Sequence, residues 1–323
     1  MLNPKLFDKD IELKSTRYGF SEGLVLAADE NSNVVGLCAD LTESVKMDDF
    51  AKKYPERFVE MGIAEQSMAS VASGMAAVGK VPFMASYAVF SPGRNWEQVR
   101  TTICYNNANV KIIGSHGGVT VGEDGGTHQA LEDIALMRVL PNMTVIVPCD
   151  AIEAKKATIA AARTNTPVYI RLCRTKTPVI TTEETPFEIG KSWVAFHADN
   201  AQIGIVATGP LLYNSIMAAK ALSEEGIAVS VLNLATVKPL DADELLNFAK
   251  ESGNRIVTVE EHQIHGGMGS AVAEFFAQNH PLPIEFVGVK DRFGQSGKPQ
   301  ELIAHYGLNE EAIKEAARKI LGR

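Results

Sequence analysis

The chain has 323 residues, of which 46% are hydrophobic and 22% are charged. This composition is typical of folded globular proteins and excludes disordered, collagenous and disulfide-scaffold classes. The length is enough for two domains. The formal net charge of -8 offers no general attraction for nucleic-acid phosphates, so nucleic acid is not an expected partner.

Export and membrane signals are not apparent. The segment MLNPKLFDKD carries charges where an export signal needs an apolar run. The longest uncharged stretch, 200–219, is interrupted by Gly209-Pro210 and predicts a strand, a turn and a helix start instead of a membrane span. Four separated cysteines form no C-x-x-C pair, which favours reduced thiols over a zinc or redox site. We therefore expect a cytoplasmic protein without membrane contact.

The first half of the chain alternates short apolar runs with segments of helical spacing. The runs lack in-and-out alternation, which is typical of parallel strands buried on both faces. Predicted strands lie at 34–39, 57–63, 110–115, 143–148 and 168–172. Predicted helices include 129–140 and 151–163. This pattern predicts an α/β domain over residues 1–175.

A segment rich in threonine and proline at 176–186 is typical of a linker. The alternation of strands and helices then returns. Predicted strands lie at 203–207, 229–232, 255–259 and 284–289. Predicted helices lie at 213–225, 269–278 and 310–321. A second, smaller α/β domain is therefore predicted over residues 187–323.

Glu65 directly follows a predicted strand and stands near the start of a helix in FVEMGIAEQSMASVASGMAAVG. Met68, Val71, Met75 and Val78 recur at helical spacing and mark the expected buried face. Glu65 lies one turn before Met68 and would point toward that face, where a carboxylate needs a compensating partner. The alternative is a partly exposed glutamate favoured by the helix dipole.

The segment SHGGVTVGEDGGTHQ, residues 115–129, is a glycine-rich loop between a predicted strand and a predicted helix. Glycines allow positive φ angles and a close approach of the backbone to a ligand. The carboxyl end of a parallel strand is also where such folds bind ligands. Donors and acceptors come from His116, Glu123, Asp124 and His128. The alternatives are a surface loop, or a metal site for which no fixed ligand spacing is present.

Three arginines could recognise an anion. Arg171 and Arg174 follow the last predicted strand of the first domain, and Arg17 lies far upstream in STRYG. The planar guanidinium group matches phosphate in charge and geometry. Together with the glycine-rich loop these residues favour an anionic substrate, and the alternative is that each is a surface or interface arginine.

Two further motifs have mainly structural interpretations. Tyr87 and Phe90 are spaced to pack in the core or to flank a flat heterocycle. Gly267-x-Gly269 begins like a dinucleotide loop, but Val272 stands at the third place, where such loops have Gly or Ala. A dinucleotide site is therefore not favoured.

Several motifs fit one family. GLCADLTESVK, MGIAEQSM, PFMASYAVF, GEDGGTHQALEDIALMRVLPNMTVIVPCD, VTVEEHQIHGGMGSAVAE and DRFGQSG resemble the motifs of the C-terminal half of transketolase, of the kind encoded as a separate subunit. The resemblance covers nearly all of the chain. It implies an α/β protein in which a pyrimidine-binding domain, a parallel sheet flanked by helices, precedes a smaller α/β transketolase C-terminal domain.

The resemblance also implies a thiamine diphosphate site. Glu65 would hydrogen-bond the aminopyrimidine ring and promote removal of the thiazolium C2 proton, and His128 would be the second catalytic residue. The implied cofactor-binding residues are Asp40, Glu65, Tyr87 and Phe90. The implied substrate-binding residues, which would contact the sugar hydroxyls and phosphate, are Arg17, Ser44, His116, Asp124, His128 and Arg174.

The chain departs from the family pattern in two ways. Gly93 stands near the position of a further aromatic residue. The chain also contains no G-D-G motif, through which the family binds the cofactor diphosphate and Mg²⁺. The resemblance therefore implies an N-terminal partner subunit that carries the Mg²⁺ ligands, self-association of the resulting pair, and no metal ligand on this chain.

The reaction implied is transfer of a two-carbon ketol unit from a ketose phosphate to an aldose phosphate, as in the pentose phosphate pathway. The alternatives are the beta subunit of a 2-oxo acid dehydrogenase, part of a 1-deoxyxylulose-5-phosphate synthase, or a non-catalytic interaction subunit. Arg17 and Arg174 favour a sugar phosphate over a 2-oxo acid. The presence of Glu65, Asp124 and His128 argues against a non-catalytic subunit.

Overall fold

The structure is a computed structural model that describes residues 2–322. Strands and helices alternate through both halves of the chain. The strands are β1 (Leu13–Lys14), β2 (Val34–Cys38), β3 (Phe58–Glu60), β4 (Val81–Tyr87), β5 (Lys111–Ser115), β6 (Thr144–Ile146), β7 (Val168–Arg171), β8 (Thr177–Pro178), β9 (Trp193–Phe196), β10 (Ile203–Ala207), β11 (Val229–Asn233), β12 (Thr236–Lys238), β13 (Ile256–Gln263) and β14 (Ile284–Val289). The helices are α1 (Thr16–Glu30), α2 (Asp48–Lys53), α3 (Glu65–Ala77), α4 (Trp96–Gln98), α5 (Asp133–Arg138), α6 (Ala151–Ala162), α7 (Leu211–Glu224), α8 (Ala242–Glu251), α9 (Met268–Asn279), α10 (Pro299–His305) and α11 (Glu310–Leu321).

The larger sheet confirms the predicted parallel arrangement. Its strand order is β12-β6-β7-β5-β4-β2-β3, and the strands from β2 to β7 are parallel. All residues of β2, β5 and β7 are buried because apolar side chains pack against both faces of the sheet. Strand β4 has no counterpart among the predicted strands, although it lies at the centre of the sheet. Its Pro82 weakens the strand pattern, since proline is disfavoured in central strands.

Two predicted elements are shorter in the structure. The strand predicted at 57–63 spans only Phe58–Glu60. The helix predicted at 129–140 spans only Asp133–Arg138. Its first residues are extended instead, because Ala130 forms a bridge with Gly117 and accepts the backbone N–H of Gly118 at 2.8 Å. This bridge closes the glycine-rich loop onto itself.

The smaller sheet has the order β14-β13-β10-β11-β9, in which β9 is antiparallel to β11 and the other pairs are parallel. Strand β12 comes from the second half of the chain but pairs with β6 in the larger sheet. Strand β8 lies within the predicted linker and pairs with β1. Hydrogen bonds between strands therefore join the two halves. Within residues 2–322, no helix combines the length and apolar character needed to cross a bilayer.

The start of α1 is fixed against the segment that follows β7. Ser15 caps α1 and donates its hydroxyl to the backbone oxygen of Cys173 at 2.9 Å, while Thr16 accepts the Cys173 N–H at 2.9 Å. Helix α1 then packs closely on α6, where a Cβ on Gly19 would lie 1.8 Å from the backbone oxygen of Ala151. This packing holds the first turn of α1 beside the end of the sheet.

The predicted buried face of α3 is partly wrong. Glu65, Met68, Ala69 and Ala72 are buried in α3. Val71 is 37% exposed and Val78, just past the helix, is 77% exposed. The period of the apolar residues is helical, but the small alanines face the sheet, where space is limited. The larger residues are left for another surface.

Arg171 is a structural residue, not a phosphate ligand. It is 4% exposed, and its Nε donates to Asp133 Oδ2 at 2.9 Å. Its Nη2 donates to the backbone oxygens of Ala130 and Glu261 at 3.2 and 2.8 Å. Tyr169 donates its hydroxyl to the same Asp133 oxygen at 2.6 Å. The last residue of β7 thus connects the glycine-rich loop to the second half of the chain.

Candidate active site

The predicted site residues lie at one edge of the larger sheet. Asp40 follows β2, Tyr87 ends β4, His116 follows β5 and Arg174 follows β7. The start of α1 places Arg17 at the same edge, because Arg17 Nη2 donates to the backbone oxygen of Arg174 at 2.8 Å. The carboxyl edge of a parallel sheet is where α/β proteins bind ligands.

Glu65 is the first residue of α3 and is 1% exposed. Its Oε2 accepts a hydrogen bond from Arg94 Nη1 at 2.6 Å, and the Ser86 hydroxyl lies 3.4 Å from Oε1. The amide of Asn95 donates to the backbone oxygen of Glu65 at 3.1 Å. Burial of a carboxylate is unfavourable without such partners, and the N-terminus of α3 adds a favourable dipole.

Arg94 was not among the predicted site residues. It is a charged residue in the otherwise uncharged stretch YAVFSPGRN, which is the signal that could have identified it. Its guanidinium carbon lies 4.6 Å from the centroid of the Phe90 ring, while its Nη1 contacts Glu65. Arg94 therefore links the buried carboxylate to the aromatic residues.

The aromatic residues form a continuous group. Tyr87 and Phe90 are stacked with ring centroids 6.0 Å apart and an interplanar angle of 9°. His116 stacks on Tyr87 at 3.7 Å, and His128 presents its ring edge to Phe90 at 5.5 Å. Tyr87 and Phe90 are half-buried, so these rings form the wall of a site and not only part of a core.

His116 is held as a neutral imidazole. It is 2% exposed, and its Nδ1 lies 2.8 Å from the Ser115 hydroxyl. Burial lowers the pKa of His116 to about 2, and the charges of Arg17, Arg174 and His128 contribute to this lowering. Its backbone φ of +58° is unusual for a residue with a side chain. The ring can therefore exchange hydrogen bonds with a ligand at neutral pH without carrying a charge.

We expect the His116 ring to stay neutral throughout the range between about pH 5 and pH 8. A histidine of the unfolded chain titrates near its ordinary pKa of 6.5. Below that pH the unfolded state binds a proton that the folded state does not bind, so stability should fall as the pH falls below about 6.5. NMR of the imidazole protons measures the ring directly. A His116 resonance that titrates near pH 6.5 would contradict this assignment.

The arginines lie beside His116. Arg17 Nη1 donates to the backbone oxygen of Ser44 at 2.5 Å, so the predicted Ser44 is adjacent to this pair. Arg174 Nη1 donates to the backbone oxygen of Val121 at 2.7 Å and to Glu123 Oε2 at 3.0 Å. The Arg174 side chain is 37% exposed. Most of its donors are therefore available to a ligand.

Asp40 and Asp124 lie at the border of this group with exposed side chains. Asp40 has a φ of +57°, and its N–H donates to Glu60 Oε1 at 2.7 Å. His128 is half-buried, and its Nδ1 lies 2.9 Å from the Thr127 hydroxyl. The structure thus brings the predicted residues to one place, and their roles stay predictions.

The glycine-rich turn at 265–269 is already occupied by a side chain of the protein. Glu260 accepts the backbone N–H of Met268 at 2.7 Å and of Gly269 at 2.8 Å. An anion at the N-terminus of a helix is stabilised by these donors and by the helix dipole. The buried Glu260 carboxylate therefore takes the position that a dinucleotide phosphate would need.

Comparison with known proteins decides the family. Residues 13–179 match the model of the transketolase pyrimidine binding domain, and residues 193–313 match the transketolase C-terminal domain. The chain belongs to the transketolase family. Transketolases depend on thiamine diphosphate, and the predicted fold class is confirmed.

Three relatives match over nearly their whole length. A putative transketolase C-terminal section from Methanocaldococcus jannaschii is 42% identical over 93% of this chain and 94% of that protein. One of the subunits of an apulose-4-phosphate transketolase from Phocaeicola vulgatus is 37% identical over 93% and 96%. A solved structure of a split-gene transketolase, an inactive beta4 tetramer, has 44% identity and a TM-score of 0.88, covering 95% and 98% of the two chains. The predicted likeness to the C-terminal subunit of a split transketolase is therefore confirmed.

The residues present fit one end of the cofactor. A buried carboxylate beside two half-buried rings offers both a hydrogen-bond acceptor and a flat apolar wall, which an aminopyrimidine requires. Glu65 Oε1 has only the 3.4 Å contact with Ser86 and can accept a further hydrogen bond. Among residues 2–322, no three His, Cys, Asp or Glu side chains are grouped so that they could hold a metal ion.

Proposed function

We propose that this chain is the C-terminal subunit of a split transketolase that transfers a two-carbon ketol unit from a ketose phosphate to an aldose phosphate. One observation carries the proposal. A buried carboxylate, a stacked aromatic wall, two histidines and a pair of arginines are continuous at one edge of the larger sheet. These groups supply proton transfer, ring binding and anion recognition in one site.

The carboxylate end would bind the cofactor. When bound, thiamine diphosphate supplies a carbon nucleophile that accepts the ketol unit. Glu65 would hold a proton at a ring nitrogen of the pyrimidine, and Tyr87 and Phe90 would pack on the ring. Asp40 would support the pocket from the end of β2. His128, whose ring edge contacts Phe90, would lie between cofactor and substrate and move a proton there.

The arginine end would bind the sugar phosphate. Arg17 and Arg174 would bind the phosphate, with Ser44 beside Arg17. Neutral His116 and the exposed Asp124 would hydrogen-bond the sugar hydroxyls. A 2-oxo acid substrate carries no phosphate for these arginines, which is why a 2-oxo acid dehydrogenase subunit is the weaker candidate.

The N-terminal subunit would complete the site. This chain has no G-D-G motif to bind the diphosphate and Mg²⁺. Large apolar side chains also remain exposed around α3, with Ile63 75% exposed and Val78 77% exposed. They flank the buried Glu65, so a subunit covering them would also enclose the cofactor. Exposed apolar residues of this kind are typical of an interaction surface.

A direct assay tests the proposal. The chain is mixed with its N-terminal subunit, thiamine diphosphate and Mg²⁺, and fructose 6-phosphate is supplied with an aldose phosphate acceptor. Formation of the ketose extended by two carbons is the expected result. Turnover of a 2-oxo acid in preference to the sugar phosphates would overturn the proposed reaction and favour the dehydrogenase alternative.

We expect the chain alone to be inactive and to bind thiamine diphosphate weakly. Without diphosphate and Mg²⁺ ligands it retains only the contacts to the pyrimidine ring, and a small part of a ligand gives only a small part of the affinity. Calorimetric titration of the isolated chain, with the assembled pair as control, measures this. Micromolar affinity without a partner would contradict the division of the site between two subunits.

A further inference from the structure

The substrate loop, defined here as residues 116–128, carries His116, Asp124 and His128. Its glycines lie against the second half of the chain. A Cβ on Gly125 would lie 2.5 Å from Ser296 Oγ, and a Cβ on Gly126 would lie 2.6 Å from the backbone oxygen of Gly294. Both distances are too short for a side chain, so the loop and the segment 294–297 are in direct contact.

Gln129 bonds the substrate loop to that segment. It is 3% exposed, and its Nε2 lies 3.0 Å from the backbone oxygen of Val119 and 3.3 Å from that of Gly122. The same nitrogen lies 3.0 Å from the backbone oxygen of Gln295 in the second half. One buried amide thus connects two points of the loop with a distant part of the chain.

Glu261 holds the loop at another point. It is the sixth residue of β13 and is 3% exposed. Its Oε1 accepts the backbone N–H of Thr120 at 2.7 Å. A Cβ on Gly118 would lie 2.1 Å from the same oxygen, so position 118 must be glycine for the carboxylate to reach the loop. A charged acceptor makes this hydrogen bond stronger than a neutral one.

We infer that the second half of the chain positions the substrate loop, with Gln129 and Glu261 as the positioning residues. The second half supplies none of the proposed site residues, yet it forms the surface on which their loop lies. Without these contacts a loop with glycines at five positions would sample many conformations. The role assigned to the second half is therefore to order the loop before substrate binds.

Hydrogen exchange in the chain tests loop positioning without any assay of activity. Gln129→Ala removes the shared amide. Gly294→Ala disturbs it from the other side, because the new Cβ would lie 1.7 Å from Gln129 Oε1. Both variants should speed exchange of the loop amides by at least about tenfold. Exchange within β10 should remain unchanged.

Gly322→Ala is the matched control, because its Cβ would meet only the backbone oxygen of Lys319 at an ordinary 3.6 Å. It should leave loop exchange at the level of the unmodified chain. Unchanged loop exchange in both Gln129→Ala and Gly294→Ala would overturn the inference. Equal acceleration in β10 would also overturn it, since that result would indicate general destabilisation.

A kinetic measurement in the assembled enzyme deepens the test and rests on the proposed function. Glu261→Ala should raise the KM for fructose 6-phosphate by about tenfold, while exchange of the cofactor C2 proton stays unchanged. Glu261→Gln keeps an oxygen that can accept the Thr120 N–H and should stay within about threefold of the unmodified enzyme. Equal loss in both variants, or parallel loss of C2 exchange, would overturn the positioning role. If the unmodified pair transfers no ketol unit, the proposed function fails, and loop exchange still decides the inference.

Discussion

Glu65→Gln should reduce turnover of the assembled enzyme by about 100- to 10,000-fold, the usual contribution of a positioned proton-transfer group. The glutamine has nearly the same size and can still accept hydrogen bonds from Ser86 and Arg94. It cannot share a proton with a ring nitrogen as a carboxyl group does. The fold should therefore persist while proton removal from the cofactor is lost.

The decisive measurement is exchange of the thiazolium C2 proton, followed by NMR in parallel with turnover. Glu310→Gln is a matched control, because Glu310 is also the first residue of a helix but lies in α11, outside the site. It should lose only a contribution of about 0.3–1 kcal/mol from the helix dipole. Normal C2 exchange in Glu65→Gln would show that Glu65 acts only as a favourable helix-start residue.

Arg174→Ala should weaken the apparent affinity for phosphorylated substrates by about 10- to 150-fold. A charge-assisted contact to phosphate contributes roughly 1.5–3 kcal/mol, which corresponds to that range. Hydroxypyruvate, a donor without phosphate, should be affected much less. Comparing kcat/KM for the two donor types separates phosphate recognition from general damage to the site.

Glu123→Gln is the control for this second experiment, because it removes the ion pair and keeps the arginine. The two side chains are 37% and 63% exposed. Such a pair contributes less than about 1 kcal/mol, so affinity should change by no more than about fivefold. Equal losses for both donors in Arg174→Ala would show that its bond to Val121 is the important contact. The phosphate would then be held by Arg17 or by the N-terminal partner.

The sequence alone was sufficient for the class of fold and for the family. Unbroken apolar runs predicted buried parallel strands, and β2, β5 and β7 are buried throughout. The glycine-rich loop was placed correctly after a strand because its length and composition are local properties. The likeness to the C-terminal half of transketolase could also be read directly, since it depends on strings of neighbouring residues.

Tertiary structure decided which distant residues act together. The contact between Glu65 and Arg94, 29 positions apart, has no periodic signal in the sequence. The same holds for Arg171, whose neighbours Asp133 and Glu261 show it to be part of a buried network. An arginine after a strand has the same local pattern whether it faces a ligand or the core.

Packing also decided which face of α3 is buried and where β12 lies. Helical spacing marks a possible apolar face, but the space against the sheet accepts alanines and leaves Val71 and Val78 outside. Strand β12 joins the larger sheet because the second half packs against the open edge of β6. Gln129 reaches Gln295 for the same reason. Periodicity and composition act over a few residues, whereas burial and hydrogen bonding between distant segments depend on how the whole chain fills space.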